Sequence, residues 1–302
     1  MSVDIVVVGS LNLDRTYTTH RLPAEGETLH ATSQSTSSGG KGANQAVAAA
    51  KLGAAVALIG AVGDDAAGAH LLDLVSAAGV RTASVRMTST AATGEAVIVV
   101  DDDGRNLIVV SEGANADLSV ADVNRDFPSA SWVVSGFEVS DACVVAAALQ
   151  AERSGAAFVL NPSPYRPIAH DVSGRVAVMV LNEHELLAAT GIDAIPEDRD
   201  SLEAARCAVR SETLVVTLGA RGAVLVTRDG STHITAPSVS PVDTSGAGDA
   251  FTGALVARLS AGDGIEDAVA FAVTVGAYAT TLPGTQTSYP TSGELAAWRD
   301  AR

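Results

Sequence analysis

Short apolar runs alternate along this chain with segments of helical pattern, and this alternation constrains the fold more than any other feature. The first run, residues 5–8, is continuously apolar and ends at Gly9, which is typical of a strand buried on both faces. Further strands are predicted at residues 55–61, 131–135, 156–160, 176–181 and 213–218. Helices are predicted at residues 41–52, 66–78, 140–153, 198–210, 248–261 and 265–280. This order predicts a mostly parallel sheet with helices on both sides, a three-layer α/β/α fold.

Two hairpin-like segments interrupt the alternation. Residues 14–35 are polar around a turn at 23–26, and residues 94–110 hold two apolar runs around a turn at 101–104. We expect them to form a small β-sheet that acts as a lid over the carboxyl ends of the strands, where open α/β sheets bind ligands. An ordinary extension of the main sheet at its edge is the alternative. We expect a single domain over residues 1–302, with the lid as its insertion.

Composition narrows the class of protein. Hydrophobic residues make up 47% of the chain, so a substantial core is expected. The net charge of −16 argues against a nucleic-acid partner, which would need a basic face, but permits a nucleotide ligand in a local site. The two cysteines are too few for a disulfide framework. The chain opens directly on a strand pattern and its apolar runs are short, so we expect a cytoplasmic protein without a membrane segment.

A glycine-rich turn before the helix predicted at 248–261 indicates phosphoryl chemistry. The backbone N–H groups of Gly246, Ala247 and Gly248, together with the positive end of the helix dipole, would form an anion site. Asp249 in the first helical turn would repel a bound anion, but it is well placed to take a proton from a hydroxyl that attacks a phosphoryl group. The alternative is a helix cap at residues 244–245, with Asp249 favourable at the helix start.

A second glycine-rich stretch, residues 38–45, opens the helix predicted at 41–52. Its glycines would let a ligand approach the backbone closely, while Lys41 and Asn44 lie one turn apart and could donate to hydroxyls. The chain has neither the glycine-lysine phosphate loop of P-loop proteins nor a dinucleotide fingerprint after its first strand. A plain glycine-rich helix start is the alternative.

Two further polar pairs follow predicted strands. Asn12 and Asp14 share a face just after the first strand, as polyol recognition would need, although both residues also favour turns. Asn182 and Glu185 follow the strand at 176–181 and could orient a hydrated Mg²⁺ ion. Their alternative is a capping box at a helix start.

With these motifs in their order, the chain resembles the ribokinase/PfkB family of carbohydrate kinases. Residues 39–45 resemble the first signature of that family and residues 243–249 the second. Shorter matches occur at residues 26–28, 63–65, 113–115, 161–162 and 217–222. The resemblance implies ATP-dependent phosphorylation of a sugar, with the 5-hydroxyl of D-ribose as the expected acceptor. The alternatives are a sister kinase for fructose, 2-keto-3-deoxygluconate or a nucleoside, and a non-catalytic sugar or nucleotide sensor.

The resemblance also implies roles for individual residues. Asp249 would be the general base, and the backbone of Gly246, Ala247 and Gly248 would bind the transferred phosphoryl group. Sugar-binding residues would be Asn12, Asp14, Gly39, Gly40, Lys41, Asn44 and Glu138, together with Asp249. Nucleotide-binding residues would be Asn182, Thr217, Gly219, Gly222 and Gly248. Glu185 would hold Mg²⁺ indirectly.

Two further expectations come from the family. A monovalent cation, K⁺ or similar, would bind beside the anion hole through oxygen atoms of Asp243, Ser245, Ala279, Leu282, Gly284 and Ser288. The lid sheets of two subunits would pair, so that a homodimer is expected. The partners are then the sugar, ATP and a second copy of the chain.

Overall fold

The computed structural model describes residues 2–302 and contains two sheets and nine α-helices in that range. The strands are β1 Ile5–Val8, β2 Asn12–Thr18, β3 Ser33–Gly39, β4 Val56–Gly63, β5 Arg81–Thr88, β6 Gly94–Val100, β7 Asn106–Ser111, β8 Trp132–Gly136, β9 Ala157–Asn161, β10 Val176–Asn182, β11 Ser211–Thr217, β12 Ala223–Thr227 and β13 Gly230–Ile234. The helices are α1 Lys41–Lys51, α2 Ala66–Ala77, α3 Val120–Asn124, α4 Asp141–Ser154, α5 Glu183–Thr190, α6 Arg199–Ala208, α7 Ala247–Ser260, α8 Ile265–Ala279 and α9 Ser292–Asp300.

The large sheet has nine strands in the order β13-β12-β11-β10-β9-β8-β1-β4-β5. Neighbours from β11 to β5 pair in parallel, and β12 and β13 add two antiparallel pairings at one edge. The mostly parallel sheet is therefore confirmed, and every predicted helix and strand lies within two residues of its observed bounds. The pattern missed β5, β12 and β13. In β5 and β13 partly exposed residues interrupt the apolar runs, whereas β12 contains a buried apolar run of only four residues, Ala223–Val226, which is too short to distinguish a strand by periodicity.

Two apolar layers cover the large sheet, one on each face. In β1, Ile5 and Val7 pack into one layer, while Val6 and Val8 pack into the other. Helices α1, α2, α7, α8 and α9 contribute to the first layer, and α3 to α6 contribute to the second. The three-layer α/β/α architecture is thus confirmed. Within residues 2–302, the structure holds no helix with the length and apolar character of a membrane span.

The chain changes direction across the sheet between β1 and β8. From β1 it proceeds to β4 and β5 on one side, and from β8 it proceeds to β13 on the other. The connections that leave the carboxyl ends of β1 and β8 therefore diverge and leave a crevice. Ligand-binding residues are expected at this point of the fold.

The small sheet has four strands in the order β3-β2-β6-β7 and consists of two hairpins joined by the parallel pair β2–β6. It is separate from the large sheet, so the edge extension is excluded. The first hairpin differs from the predicted segment 14–35, because its strands begin at Asn12 and end at Gly39. The strand β3 reads Ser-Gln-Ser-Thr-Ser-Ser-Gly, without the apolar alternation by which a strand is recognised.

Two facing glycines bring α1 against the end of β1. A Cβ atom built on Gly42 would lie 2.6 Å from the backbone of Gly9, and one built on Gly9 would lie 2.7 Å from the Cα of Gly42. Only residues without a side chain permit this approach. The contact sets the first turn of α1, with Lys41 and Asn44, beside the crevice.

We predict that Gly42→Ala lowers the free energy of unfolding by about 1–3 kcal/mol, because the added methyl group must push the backbone of β1 away. Gly293→Ala is the matched control, since Gly293 lies in the first turn of α9 and a Cβ atom added there would meet no other atom within 4 Å. The control is expected to be neutral or slightly stabilising. Urea titration followed by circular dichroism measures both, and equal stability of the two variants would contradict the prediction.

Candidate active site

Glu138 joins three elements at the crevice. It follows β8, and its Oε2 accepts hydrogen bonds from the Ser10 hydroxyl at 2.5 Å and from the backbone N–H of Lys41 at 2.9 Å. Ser10 follows β1, and Lys41 begins α1. A single carboxylate thus ties the ends of two parallel strands to the positive end of a helix.

Asn12 lies in the first pair of the small sheet and is held by Asn115. The Asn115 amide donates to Asn12 Oδ1 at 2.7 Å and to the Leu11 carbonyl at 3.1 Å, and Asn115 Oδ1 accepts from Leu11 N at 2.9 Å. Because its oxygen is engaged, Asn12 keeps its NH₂ group as a donor. Asn115 therefore fixes which end of the Asn12 amide is free for a ligand.

Asp14 stands in an unusual electrostatic environment. Burial raises its pKa to about 7, and the negative charges of Glu138 and Asp249 contribute to the rise. Its carboxylate fills the space above Gly39, where a Cβ atom would lie 2.2 Å from Oδ2. The predicted sugar-binding residues Asp14, Gly39 and Glu138 therefore lie together.

Lys41 is the cation among these carboxylates. Attraction to Asp249 raises its pKa most, burial acts in the opposite direction, and Glu138 and Glu185 raise the pKa further. Lys41 thus remains charged within electrostatic reach of three acidic groups.

Asp249 is 5% exposed and is held by two amides of α1. Its Oδ2 accepts from Asn44 Nδ2 and its Oδ1 from Gln45 Nε2, both at 3.0 Å. The Gln45 amide also donates to Asn161 Oδ1 at 3.0 Å, and Asn161 donates to the Val180 carbonyl. Each carboxylate oxygen retains a further lone pair, so Asp249 is oriented and can still accept a proton.

No side chain caps the helix that begins at the turn before Asp249. The N-cap of α7 is Gly246, with φ 69°, and no side chain caps the helix, so the predicted cap at residues 244–245 does not form. The N–H of Ala247 makes a long turn bond of 3.3 Å to the Thr244 carbonyl. The first N–H groups of a helix lack intrahelical acceptors, so Gly248 and its neighbours present donors to an anion.

The predicted nucleotide-binding residues lie at the same edge of the large sheet. Asn182 and Thr217 end β10 and β11 and are paired in register. Gly219 and Gly222, with φ 56° and 94°, form the turn between β11 and β12. These residues therefore line the carboxyl edge beyond the crevice, on the side toward β12.

Asn182 and Glu185 form the capping box that the sequence left open as an alternative. Asn182 Oδ1 accepts from Glu185 N and Glu185 Oε2 accepts from Asn182 N, both at 2.9 Å. The Glu185 Oε1 atom makes no hydrogen bond in the described part of the chain. Residues 2–302 hold no group of three or more His, Cys, Asp or Glu side chains that could bind a metal ion. A single carboxylate oxygen fits a largely hydrated Mg²⁺ better than a dehydrated ion.

The predicted cation ligands lie on two segments joined by Asp243. Its Oδ1 accepts from Ser245 N and its Oδ2 from Gly284 N, both at 2.9 Å. Burial raises the Asp243 pKa, but the hydrogen bonds from Ser245 and Gly284 outweigh it and leave the pKa below its usual value. Asp243, Ser245 and Gly284 thus come together, with an ionised carboxylate.

The other three predicted cation ligands follow along the second segment. Ala279 is the last residue of α8, and Leu282 lies in the following turn. The Ser288 hydroxyl donates to the Thr285 carbonyl at 2.8 Å and keeps its lone pairs. All the donors are oxygen atoms, which suits a hard cation.

Sequence reasoning assigned no role to several residues that hold the site. These are Ser10, Gln45, Asn115, Asn161, Gln286 and Tyr289. Gln45 and Asn161 lie within motifs of the family resemblance, one next to Asn44 and the other at a strand end. Gln286 and Tyr289 carried no local signal, because their partners lie far away in the sequence.

Comparison with known proteins identifies the family of this chain. The family model of the pfkB carbohydrate kinases matches residues 3–292. The ribokinase of Schizosaccharomyces pombe is 33% identical over 97% of this chain and 96% of its own length. The deoxyribokinase of Salmonella typhimurium is 36% identical over 95% of this chain and 96% of its own.

Solved structures give the same result. The ribokinase of Arabidopsis thaliana, complexed with ribose and ATP, matches with a TM-score of 0.89 at 29% identity over 98% of both chains. The ribokinase of Thermotoga maritima matches with a TM-score of 0.90 at 29% identity over 99% of both. On its sequence, its fold and the residues gathered at the crevice, the chain belongs to the pfkB family of carbohydrate kinases.

Proposed function

We propose that this protein transfers the γ-phosphoryl group of ATP to the 5-hydroxyl of D-ribose. The observation that carries the proposal is Asp249, a buried carboxylate oriented by two amides in the first turn of an uncapped helix. A proton acceptor and an anion site are thereby adjacent. A protein that only sensed a sugar would need no such pair, which argues against the sensor.

The sugar would lie between β2 and α1. The free NH₂ of Asn12 donates to a ring hydroxyl, the Asp14 carboxylate accepts from hydroxyls, and Lys41 and Glu138 close the site at the start of α1. Gly39 and Gly40 let the sugar approach the backbone. Asn44 lies between the sugar and Asp249, so its NH₂ can serve both. This arrangement directs the primary hydroxyl toward Asp249.

Transfer then follows from the arrangement of donors and acceptors. Asp249 takes the proton of the 5-hydroxyl, and the sugar oxygen forms a bond to the γ-phosphorus as the bond from that phosphorus to the β–γ bridging oxygen breaks. The N–H groups of Gly246, Ala247 and Gly248 stabilise the charge on the transferred group. Asn182, Thr217, Gly219 and Gly222 hold the nucleotide. Glu185 would hold, through water, the Mg²⁺ ion that accompanies ATP, and that ion would neutralise further phosphate charge.

A second acceptor, 2-deoxy-D-ribose, is favoured by one observation. The Salmonella typhimurium deoxyribokinase shares 36% identity, no less than the ribokinases. The two acceptors differ by one hydroxyl, and a site built to bind that hydroxyl discriminates strongly against its absence. Fructose, 2-keto-3-deoxygluconate and nucleosides stay as the further alternatives.

We also propose that the small sheet closes over the bound sugar and pairs with a second copy. The outer strand β7 is an unpaired edge that exposes Leu107, Ile108, Val109 and Val110, with Val109 at 69%. Four consecutive exposed apolar residues on a sheet edge need cover. A homodimer through this edge would cover them, and closure would exclude water from the transfer step.

A monovalent cation is the last part of the proposal. The ionised Asp243, the carbonyls of Ser245, Ala279, Leu282 and Gly284 and the Ser288 hydroxyl would hold K⁺ beside the turn that opens α7. Asp243 joins the two segments by its bonds to Ser245 and Gly284. A cation bound there would fix the conformation of this turn and would thereby hold the N–H groups of the adjacent anion hole in place.

Asp249→Asn is expected to lower kcat on the preferred sugar by roughly 10²–10⁴-fold, the usual contribution of a general base. Sugar and ATP affinities should stay near those of the natural protein, because the amide keeps the shape of the carboxylate. A coupled ADP-release assay over ribose, 2-deoxyribose, fructose, 2-keto-3-deoxygluconate and nucleosides measures turnover, and calorimetry measures binding.

The same panel tests the acceptor. Turnover with ribose well above all other sugars supports the proposal, whereas preference for 2-deoxyribose or another member would keep the mechanism and replace the substrate. Near-normal kcat in the Asp249→Asn protein would remove Asp249 from the mechanism.

Asp243→Ala is expected to abolish the rise of activity with KCl at constant ionic strength, since the only charged ligand of the proposed cation site is lost. Asp229→Ala is the control, because Asp229 is an exposed carboxylate in the turn between β12 and β13. It should leave the KCl response unchanged. The proposal fails if Asp243→Ala is activated by KCl as the natural protein is, or if the natural protein shows no such activation.

Sugar affinity is expected to fall as the pH drops below about 7, the pKa of Asp14, because only the ionised carboxylate accepts hydrogen bonds from two hydroxyls. The limiting slope is about tenfold in Kd per pH unit. Calorimetric titration with ribose from pH 5.5 to 8.5 measures it. Asp14→Asn should bind more weakly with little pH dependence over this range, and an identical slope in that variant would assign the titration to another group.

A further inference from the structure

The segment between α8 and α9 reaches the base through a side chain that the proposed mechanism does not use. Gln286 Nε2 donates to Asn44 Oδ1 at 2.9 Å, and Asn44 Nδ2 donates to Asp249 Oδ2 at 3.0 Å. The three side chains form one directed line of hydrogen bonds. It begins in the segment of Gly284 and Ser288 and ends at the carboxylate.

Gln286 is itself held in place by its neighbours. The Lys51 ammonium at the end of α1 donates to the carbonyls of Gln286 and Tyr289 at 2.8 and 2.9 Å. Tyr289 is 2% exposed, and its hydroxyl donates to the Gly246 carbonyl at 3.0 Å. Residues 286–289 are therefore fixed both to α1 and to the turn that opens α7.

The direction of the line decides what Asn44 presents to the crevice. An asparagine amide has an acceptor at one end and two donors at the other. With Gln286 donating to its oxygen, Asn44 turns its NH₂ toward Asp249 and the sugar position. A sugar hydroxyl that donates to Asp249 could displace the hydrogen bond from Asn44 to that carboxylate. The hydrogen bond from Gln286 would then be the remaining contact that keeps the Asn44 amide in its orientation.

We infer that Gln286 is a positioning residue that holds the Asn44 amide toward Asp249 and the sugar. It thereby couples the segment that carries Gly284 and Ser288 to the base. The inference rests on the proposed function, because it assigns Asp249 as base and Asn44 as a sugar contact. Gln286 touches neither substrate and acts through Asn44.

The test uses the full-length protein with Gln286→Met, Gln286→Glu and the control Thr287→Val. Methionine keeps the length of glutamine but cannot donate. Thr287 is the exposed neighbour, and its hydroxyl donates only within the segment, to the Pro283 carbonyl at 3.3 Å. At pH 8, Gln286→Met is expected to lower kcat/KM for ribose about tenfold, the loss of one well-placed hydrogen bond. The KM of Gln286→Met for ATP should be unchanged. Thr287→Val should keep the kcat/KM of the natural protein for ribose.

Gln286→Glu gives a signature that a merely structural role would not produce. A glutamate carboxylate cannot donate to Asn44 Oδ1, whereas its protonated form can. Its kcat/KM relative to the natural protein at the same pH is therefore expected to rise about twofold as the pH falls from 8 to 5, because a glutamate with an ordinary pKa near 4.3 is roughly one-sixth protonated at pH 5. The Gln286→Met ratio should stay flat.

Two results would overturn the inference. One is kcat/KM at pH 8 equal to that of the natural protein in both Gln286 variants, and the other is a loss in Gln286→Glu that does not change with pH. Failure of the proposed function is recognised separately, because then the natural protein would not phosphorylate ribose or Asp249→Asn would keep its kcat. In that case both proposals fall.

Discussion

The contact between α1 and the end of β1 is the constraint on which the rest of the site depends. Gly42 and Gly9 meet backbone to backbone, so the first turns of α1 lie directly at the crevice between β1 and β8. From that position Lys41 reaches Glu138 through its backbone, and Asn44 and Gln45 reach Asp249 through their amides. Any larger residue at the contact would move all three groups together.

Electrostatics then explains why so acidic a protein can bind an anionic nucleotide. The net charge is −16, and Asp14, Glu138 and Asp249 are close enough together to raise the pKa of Asp14. Lys41 and the uncapped start of α7 are the local positive features. Burial, and to a lesser extent the charges of Glu138 and Asp249, raises the pKa of Asp14 from 3.8 to about 7. This group therefore lowers the free energy of unfolding increasingly between about pH 4 and pH 7, and hydrogen bonds from bound hydroxyl groups would offset that cost.

Much of the fold and part of the candidate site could be predicted from local sequence patterns. The apolar run at β1 and the helical periodicities predicted the layers, since burial on both faces of a parallel sheet leaves continuous apolar strands. The glycine-rich stretches beside Lys41 and Asp249 indicated anion and hydroxyl chemistry from residue type alone. Strand β3 was misplaced because its polar residues carry no period, and β5 and β13 were missed because partial exposure interrupts their apolar runs. Strand β12 was missed because its buried apolar run has only four residues, too few to show a period.

The amino-acid sequence by itself determined the α/β/α class, the inserted hairpins and the identity of the reactive groups, because each depends on residues close together along the chain. Tertiary structure alone decided the partners of those groups. Asn44 and Asp249 lie 205 positions apart, Gln286 and Asn44 lie 242 apart, and Asn115 and Asn12 lie 103 apart. Hydrogen bonds act over about 3 Å and leave no periodic trace in the sequence, so only the folded arrangement of α1, α7 and the segment after α8 reveals them.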